Sequence, residues 1–108
     1  MSSDQASRRV QVEQDGRVVA EAEIERLDPP GAVKAAVHVE SGHLPTGVRS
    51  RLVADVFDCP EVKDAEHFTG VVPRGDAELL DCMRERLTDP ATRPAGASVI
   101  VEADTPHA

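Results

Sequence analysis

The sequence is nearly free of aromatic residues: its 108 positions hold two phenylalanines and no tyrosine or tryptophan. The core must therefore be built from aliphatic side chains, and a mechanism that needs a tyrosine acid or an aromatic stacking platform is excluded. Hydrophobic residues make up 40 % of the chain and charged residues 30 %, which is typical of a folded protein. The length suits one domain, residues 1–108, and we expect frayed ends at 1–7 and 104–108.

Basic residues are also scarce: 12 stand against 20 acidic residues, and the net charge is -8. A nucleic-acid-binding surface usually needs a basic face, so this balance argues against a nucleic-acid partner. The chain contains no apolar run of the length that a membrane span or a signal peptide requires. We therefore predict a cytoplasmic protein that does not bind membranes.

The cysteines and histidines of the sequence form no metal-binding motif. Cys59 and Cys82 are the two cysteines, they form no Cys-x-x-Cys motif, and we expect both to be reduced and partly buried. The four histidines lack the spacing of a zinc motif. The sequence therefore predicts no metal site.

Alternating apolar and polar residues on either side of Gln14–Gly16 predict a β-hairpin. A two-residue turn at Asp15-Gly16 would set the apolar row of the second strand against polar positions. A three-residue loop with Gly16 in the left-handed conformation instead pairs Val12 with Val18. We therefore predict the three-residue loop.

Beyond the hairpin, the apolar spacing switches between strand and helix periods. The predicted elements are a strand at Val33–Val39, a helix from Val48 that Pro60 stops, a polar connection at Glu61–Asp64, a strand at His67–Val72, a helix at Ala77–Leu87 with Asp76 as its N-cap, a loop at Ala91–Gly96 and a strand at Ser98–Ala103. The helical crossover implies a parallel strand pair, whereas the hairpin is antiparallel. The sequence thus predicts an α/β (α+β) fold with a mixed five-stranded sheet, in the order β-β-β-α-β-α-β.

The turn before the first helix is the one candidate ligand site. Thr46 is a good N-cap residue, and Gly47 would allow close approach of the backbone. Arg49 and Arg51 lie in the first turns, where positive charge opposes the helix dipole. Helix amides from Thr46 to Arg49 together with the two arginines would cradle a phosphate, which would compensate the basic residues.

Two alternatives remain open at this turn. In the first alternative, the turn binds no ligand: Gly47 only shapes the turn, and Arg49 and Arg51 pair with acidic residues of the surface. His43 borders the turn and is a candidate general base, although an exposed loop histidine often has no such role.

The order of elements over residues 10–103 resembles the core of the GNAT N-acetyltransferase superfamily. In that family the helix after the central strand starts with Gln/Arg-x-x-Gly-x-Gly/Ala, and its amides hold the pyrophosphate of coenzyme A. The aligned segment here is Leu44–Arg49, in which Gly47 matches while Leu44 and Arg49 depart from the pattern. The resemblance implies acetyl-CoA as cofactor, bound at Thr46, Gly47, Val48, Arg49 and Arg51.

The resemblance also bears on activity and assembly. A catalytic form would be an acyl-CoA-dependent N-acyltransferase, but the sequence leaves open whether the domain catalyses transfer. The family's first strand and two acceptor-binding helices have no counterpart here, so the acceptor pocket would come from a partner subunit. We also expect a homo-oligomer, most simply a dimer, because a sheet of this size leaves edges that a symmetric copy could cover. The alternative function is a non-catalytic, self-associating or protein-binding module that needs no cofactor.

Overall fold

The computed structural model describes residues 7–27, 31–40 and 44–104, which form one mixed sheet and three helices. The strands are β1 (Ser7–Gln14), β2 (Arg17–Leu27), β3 (Ala32–Val39), β4 (His67–Pro73), β5 (Thr88–Ala95) and β6 (Ser98–Asp104), and the helices are α1 (Val48–Asp58), α2 (Pro60–Lys63) and α3 (Ala77–Arg84). In the sheet, the six strands lie in the order β1-β2-β3-β4-β6-β5.

The sheet is mixed, as predicted. β3 and β4 are parallel and are joined by the helical crossover, whereas every other neighbouring pair is antiparallel. The predicted count of five strands was wrong, because most of the expected loop at Ala91–Gly96 belongs to β5. Pro90 and Pro94 suggested a loop, but proline is tolerated in β5 because this strand lies at the edge of the sheet.

The turn between β1 and β2 has two residues, so the predicted three-residue loop was wrong. Asp15 and Gly16 both have positive φ angles, 54° and 80°. Gln14 is paired directly with Arg17 across the turn. Positive φ at both central positions is typical of the type I′ turn, whose twist matches that of the flanking strands.

A β-bulge reconciles this short turn with the apolar pattern. Glu13 lies opposite Val18 while Val12 lies opposite Ala20, so Val19 is the additional residue in β2. The extra residue shifts the following side chains by one position. As a result, the apolar row of β2 faces the core, which the two-residue turn alone would have prevented.

The helices begin and end at residues that differ slightly from those predicted. Gly47, not Thr46, is the N-cap of α1, and no side chain of the described residues caps that helix. Pro60 lies at the start of the short helix α2, where its missing N–H costs nothing, so the segment predicted as a polar connection is partly helical. Helix α3 ends at Arg84, three residues before the predicted end.

One face of the sheet packs against α1 and α3. Phe68 in β4 is fully buried there, and its ring centroid lies 4.8 Å from that of Phe57 in α1. Gly70, on the same strand, has no room for a side chain, because an added Cβ would collide with the sulfur of Met83 in α3. The lack of a side chain at Gly70 therefore allows α3 to pack close to β4. No helix within the described residues is long and apolar enough to cross a membrane.

Candidate functional site

The two parallel strands separate at their carboxyl ends. β3 and β4 pair from Ala32 opposite His67 to Ala36 opposite Val71, and no pairs follow, although both strands continue. Beyond that point β3 remains paired with β2 and β4 with β6. A cleft therefore opens between two well-held strands, at the end of a parallel pair where α/β proteins commonly bind ligands.

A cavity of about 400 Å³ lies at this cleft. Its lining comes from the end of β3, the turn after β4 and the first turn of α1, and consists of Val39, Glu40, Arg49, Pro73, Arg74, Gly75 and Asp76. Two arginines and two carboxylates contribute, so the cavity wall has balanced charge even though the chain is strongly acidic. We call this cavity and its lining the β3–β4 cleft.

Gly47 gives the beginning of α1 its shape. Its φ of 97° lies in the left-handed region that side chains disfavour, so glycine is required by conformation. An added Cβ would meet no atom of the described residues within 4 Å, so within that part of the chain the backbone at this point is open to approach. Thr46 beside it is exposed and makes no capping bond, which corrects the expectation that Thr46 caps the helix.

The first N–H groups of α1 are only partly satisfied. Val48 N–H donates to the carbonyl of Pro45 (3.3 Å) and Arg51 N–H to that of Gly47 (2.9 Å). The N–H groups of Arg49 and Ser50 have no backbone acceptor among the described residues. The Val48 side chain is buried in the core, so only its backbone takes part in this turn.

Arg49 has an acidic partner within the chain. Its Nε lies 2.9 Å from both carboxylate oxygens of Asp76, and its Nη1 lies 3.9 Å from Glu78 Oε1. The side chains of Arg49 and Asp76 are only 19 % and 13 % exposed. Asp76 Oδ1 also accepts a hydrogen bond from Leu79 N–H at 3.1 Å, which confirms Asp76 as the N-cap of α3.

Arg51 lies outside the cleft lining. It is 73 % exposed, and its Nε lies 3.6 Å from Asp55 Oδ2 one turn further along α1. Both arginines of the turn are thus paired with acids of the chain itself, so neither opposes the helix dipole without compensation. Their contact with a ligand stays a prediction.

Groups capable of acid–base or nucleophilic chemistry are few near the cleft. His43, the candidate base, lies outside the described residues. His67 is at the amino end of β4, the end away from the cleft, and its Nδ1 lies 3.4 Å from Asp104. Burial raises the pKa of the Cys59 thiol, which donates a hydrogen bond to the Asp55 carbonyl, so it remains protonated at neutral pH. Among the described residues, no group of three or more side chains could hold a metal ion.

Sequence reasoning placed the beginning of α1 beside the end of β3 but missed the opposite wall of the cleft. Asp76 was identified only as a helix cap, and Glu40 and Arg74 were not singled out. A signal was present, because the Pro73–Gly75 turn follows the second parallel strand and parallel strands end at the same edge of a sheet. Which side chains meet across that edge depends on the separation of the strands, which no sequence pattern reports.

Comparison with known proteins gives similarity in structure alone, since no protein-family model matches the chain and no curated protein matches it in sequence. The GNAT domain of S. lividans PAT aligns with 91 % of this chain and 60 % of its own, at 15 % identity and a TM-score of 0.64. An acetyltransferase of the GNAT family from Streptococcus pneumoniae aligns with 97 % of this chain and 70 % of its own, at 10 % identity and a TM-score of 0.67.

A third similar structure is the PaiA N-acetyltransferase from Thermoplasma acidophilum in complex with coenzyme A. It aligns with 91 % of this chain and 60 % of its own, at 9 % identity and a TM-score of 0.63. The chain thus spans about 60–70 % of the length of these three proteins. Sequence identities this low give information about the fold only. All three structures share the fold that the order of elements predicted. This chain therefore has a GNAT-like fold.

Proposed function

We propose that this domain binds acyl-coenzyme A, or another ligand that carries a pyrophosphate, with its phosphates at the beginning of α1 and its remainder in the β3–β4 cleft. The observation that carries the proposal is the separation of the two parallel strands directly beside the first turn of α1. Two of the structurally similar proteins are in complex with coenzyme A: PaiA, and the diaminobutyrate acetyltransferase EctA from Paenibacillus lautus.

The first turn of α1 supplies what a phosphate needs. The N–H groups of Arg49 and Ser50 lack backbone acceptors among the described residues, and the left-handed Gly47 leaves the backbone open beside them. Such amides, together with the positive end of the helix dipole, favour a bound anion. Thr46, Gly47, Val48, Arg49 and Arg51 are the residues proposed to hold the pyrophosphate.

Arg49 can serve a ligand without leaving Asp76. A guanidinium has five N–H donors, and only Nε of Arg49 is hydrogen-bonded to the carboxylate. Nη1 lies 3.9 Å from Glu78 Oε1, which is beyond hydrogen-bond distance, so the N–H groups on Nη1 and Nη2 remain for a phosphate oxygen. In this arrangement Asp76 holds the Arg49 side chain in place and limits the entropy lost when a ligand binds.

The proposal concerns binding and leaves transfer chemistry open. Bound acyl-coenzyme A would supply a thioester as acyl donor, but an acyltransferase also needs a group that moves a proton at the acceptor. Among the described residues of the cleft lining, the titratable side chains are Glu40, Arg49, Arg74 and Asp76. If the domain is catalytic, Glu40 and His43 are the bases to test, and the reaction would be N-acylation.

Thermal melting with and without ligand tests the proposal. Millimolar coenzyme A should raise the melting temperature of the parent, because a ligand at 100 times its dissociation constant adds about 2.7 kcal/mol of stability. Arg49→Ala should reduce this shift, whereas Arg93→Ala, which removes an exposed arginine of β5, should leave it intact. If neither coenzyme A nor inorganic pyrophosphate shifts the parent, the proposal fails for these ligands.

A further inference from the structure

The two edges of the sheet differ in how well they are protected. β5 carries Pro90 and Pro94, and its pairing with β6 is irregular between Thr88 and Ala91. Proline and irregular pairing are devices that prevent an edge strand from pairing with another chain. β1, the opposite edge, has no proline, and the one register shift in its pairing with β2, between Val12 and Glu13, comes from the extra residue Val19 in β2 and not from β1 itself. Among the described residues, the β1 edge is therefore the one open to a further strand.

The sequence of β1 is complementary to itself in the antiparallel direction. When two copies are aligned with Gln11 opposite Gln11, Val10 lies opposite Val12 and Arg9 lies opposite Glu13. The valines belong to the face that packs under α1, while Arg9 and Glu13 belong to the other face. Because the pairing is two-fold symmetric, the valine pair and the opposite-charge pair each occur twice.

No other antiparallel alignment preserves these pairs. A slip of one residue on either strand sets valines opposite polar residues, because it moves one strand's side chains to the other face. A centre at Val10 sets Arg8 opposite Val12, and a centre at Val12 sets Glu13 opposite Gln11. The alignment about Gln11 is thus favoured by apolar and charged pairs together.

The side chains of β1 are consistent with this alignment. Arg9 and Glu13 are both exposed, and neither forms an ion pair within the described residues, unlike several neighbouring charges. Val10 is only half-buried and would lose most of its remaining exposure against the Val12 of a second copy. Arg8 is held by Glu61 of its own chain, its Nε lying 2.9 Å from both carboxylate oxygens, and does not block the edge.

We propose that two copies of this chain associate through their β1 strands, antiparallel about Gln11, so that two six-stranded sheets become one continuous sheet. Main-chain hydrogen bonds supply the general attraction of strand addition. The Arg9–Glu13 pairs select the register and the two-fold arrangement, because parallel or shifted copies lose them. This interface does not depend on a ligand at the β3–β4 cleft.

Sedimentation of charge-reversed variants tests the interface. The parent should sediment at twice its mass of 11.6 kDa at high micromolar concentration. Arg9→Glu and Glu13→Arg should each weaken self-association by about tenfold or more, because each sets two like-charged pairs in the interface. An equimolar mixture of the two variants should associate again, because opposite charges then face each other at both positions.

Arg93→Glu is the matched control, since it makes the same charge change on the β5 edge and should leave the dimer intact. Circular dichroism establishes that each variant is folded, and restored association of the mixture excludes a folding defect independently. A parent that is monomeric at high micromolar concentration would overturn the proposal. Folded variants that fail to associate when mixed, or dissociation by Arg93→Glu instead, would overturn it as well.

Discussion

Asp76 receives the Arg49 Nε hydrogen bond on both carboxylate oxygens at 2.9 Å and the Leu79 N–H at 3.1 Å. One carboxylate therefore connects the beginnings of α1 and α3, whose helices meet beside the β3–β4 cleft. The Asp76 carboxylate compensates the positive charge of Arg49 at the start of α1, and it also caps the start of α3. The local structure of the proposed ligand site thus rests on this pair.

The two roles of Asp76 can be separated by substitution. Asp76→Asn keeps a good capping residue but loses the charge that pairs with Arg49, whereas Asp76→Ala loses both. We expect Asp76→Ala to lower the free energy of unfolding by about 1–2 kcal/mol for the cap, plus up to about 1 kcal/mol for the ion pair. Asp76→Asn should lose only the second part. Chemical denaturation measures both, and equal midpoints for the two variants would contradict the separation.

Arg49→Glu should destabilise the unliganded protein. From the sequence alone, an uncompensated arginine at this position would favour the opposite result, because glutamate suits a helix start. In the structure the new carboxylate would face Asp76 and Glu78 in place of their cation. Arg51→Glu, at an exposed position beside Asp55, is the comparison and should change stability by less. A melting temperature for Arg49→Glu above that of the parent would contradict the pairing.

Glu61 should make stability depend on pH in the acidic range. Burial alone would raise the pKa of this carboxyl, but its backbone hydrogen bond and Arg8 outweigh burial and hold the pKa below its usual value. A carboxyl whose pKa is lower in the folded state than in the unfolded state stabilises the fold when the pH is above its unfolded-state pKa, about 4.3. This stabilisation is lost as the pH falls through the folded-state pKa.

The comparison of the parent with Glu61→Gln isolates this effect. The parent should be the more stable protein at pH 7, and the difference should shrink as the pH falls below about 4. Glu85→Gln removes an exposed carboxylate from the end of α3 and controls for net charge. A difference between parent and Glu61→Gln that stays constant from pH 7 to pH 3 would contradict the assignment.

Most of the fold could be predicted because its information is local. The alternation in β3 and the helical spacing after Val48 give the period of each element directly, and the crossover rule then fixes the parallel pair. β5 escaped prediction because its prolines indicate a loop until its place at the sheet edge is known. The bulge at Val19 escaped because a turn and a bulge together produce the same facing pattern as a longer loop.

The candidate site was predictable only on one side. Gly47 and Arg49 could be placed at the beginning of a helix from sequence, but Asp76 is 27 residues away from Arg49 and meets it across the cleft. That contact depends on how two strands separate in space, so the sequence left pairing of the arginines with acidic residues open but did not identify Asp76 as the partner of Arg49. The structure corrects the electrostatics of the turn, while the assignment of a ligand to it stays a prediction.

The most direct test of that assignment is a titration of ¹⁵N-labelled protein followed by the backbone amide resonances. Inorganic pyrophosphate should shift the amides of Gly47, Arg49 and Ser50, because these lie at the open start of α1. Coenzyme A should shift the same amides and, in addition, those of Val39 and Arg74 on either side of the cleft. If coenzyme A leaves the amides of α1 unchanged, or shifts only residues elsewhere on the sheet, the proposed site is wrong.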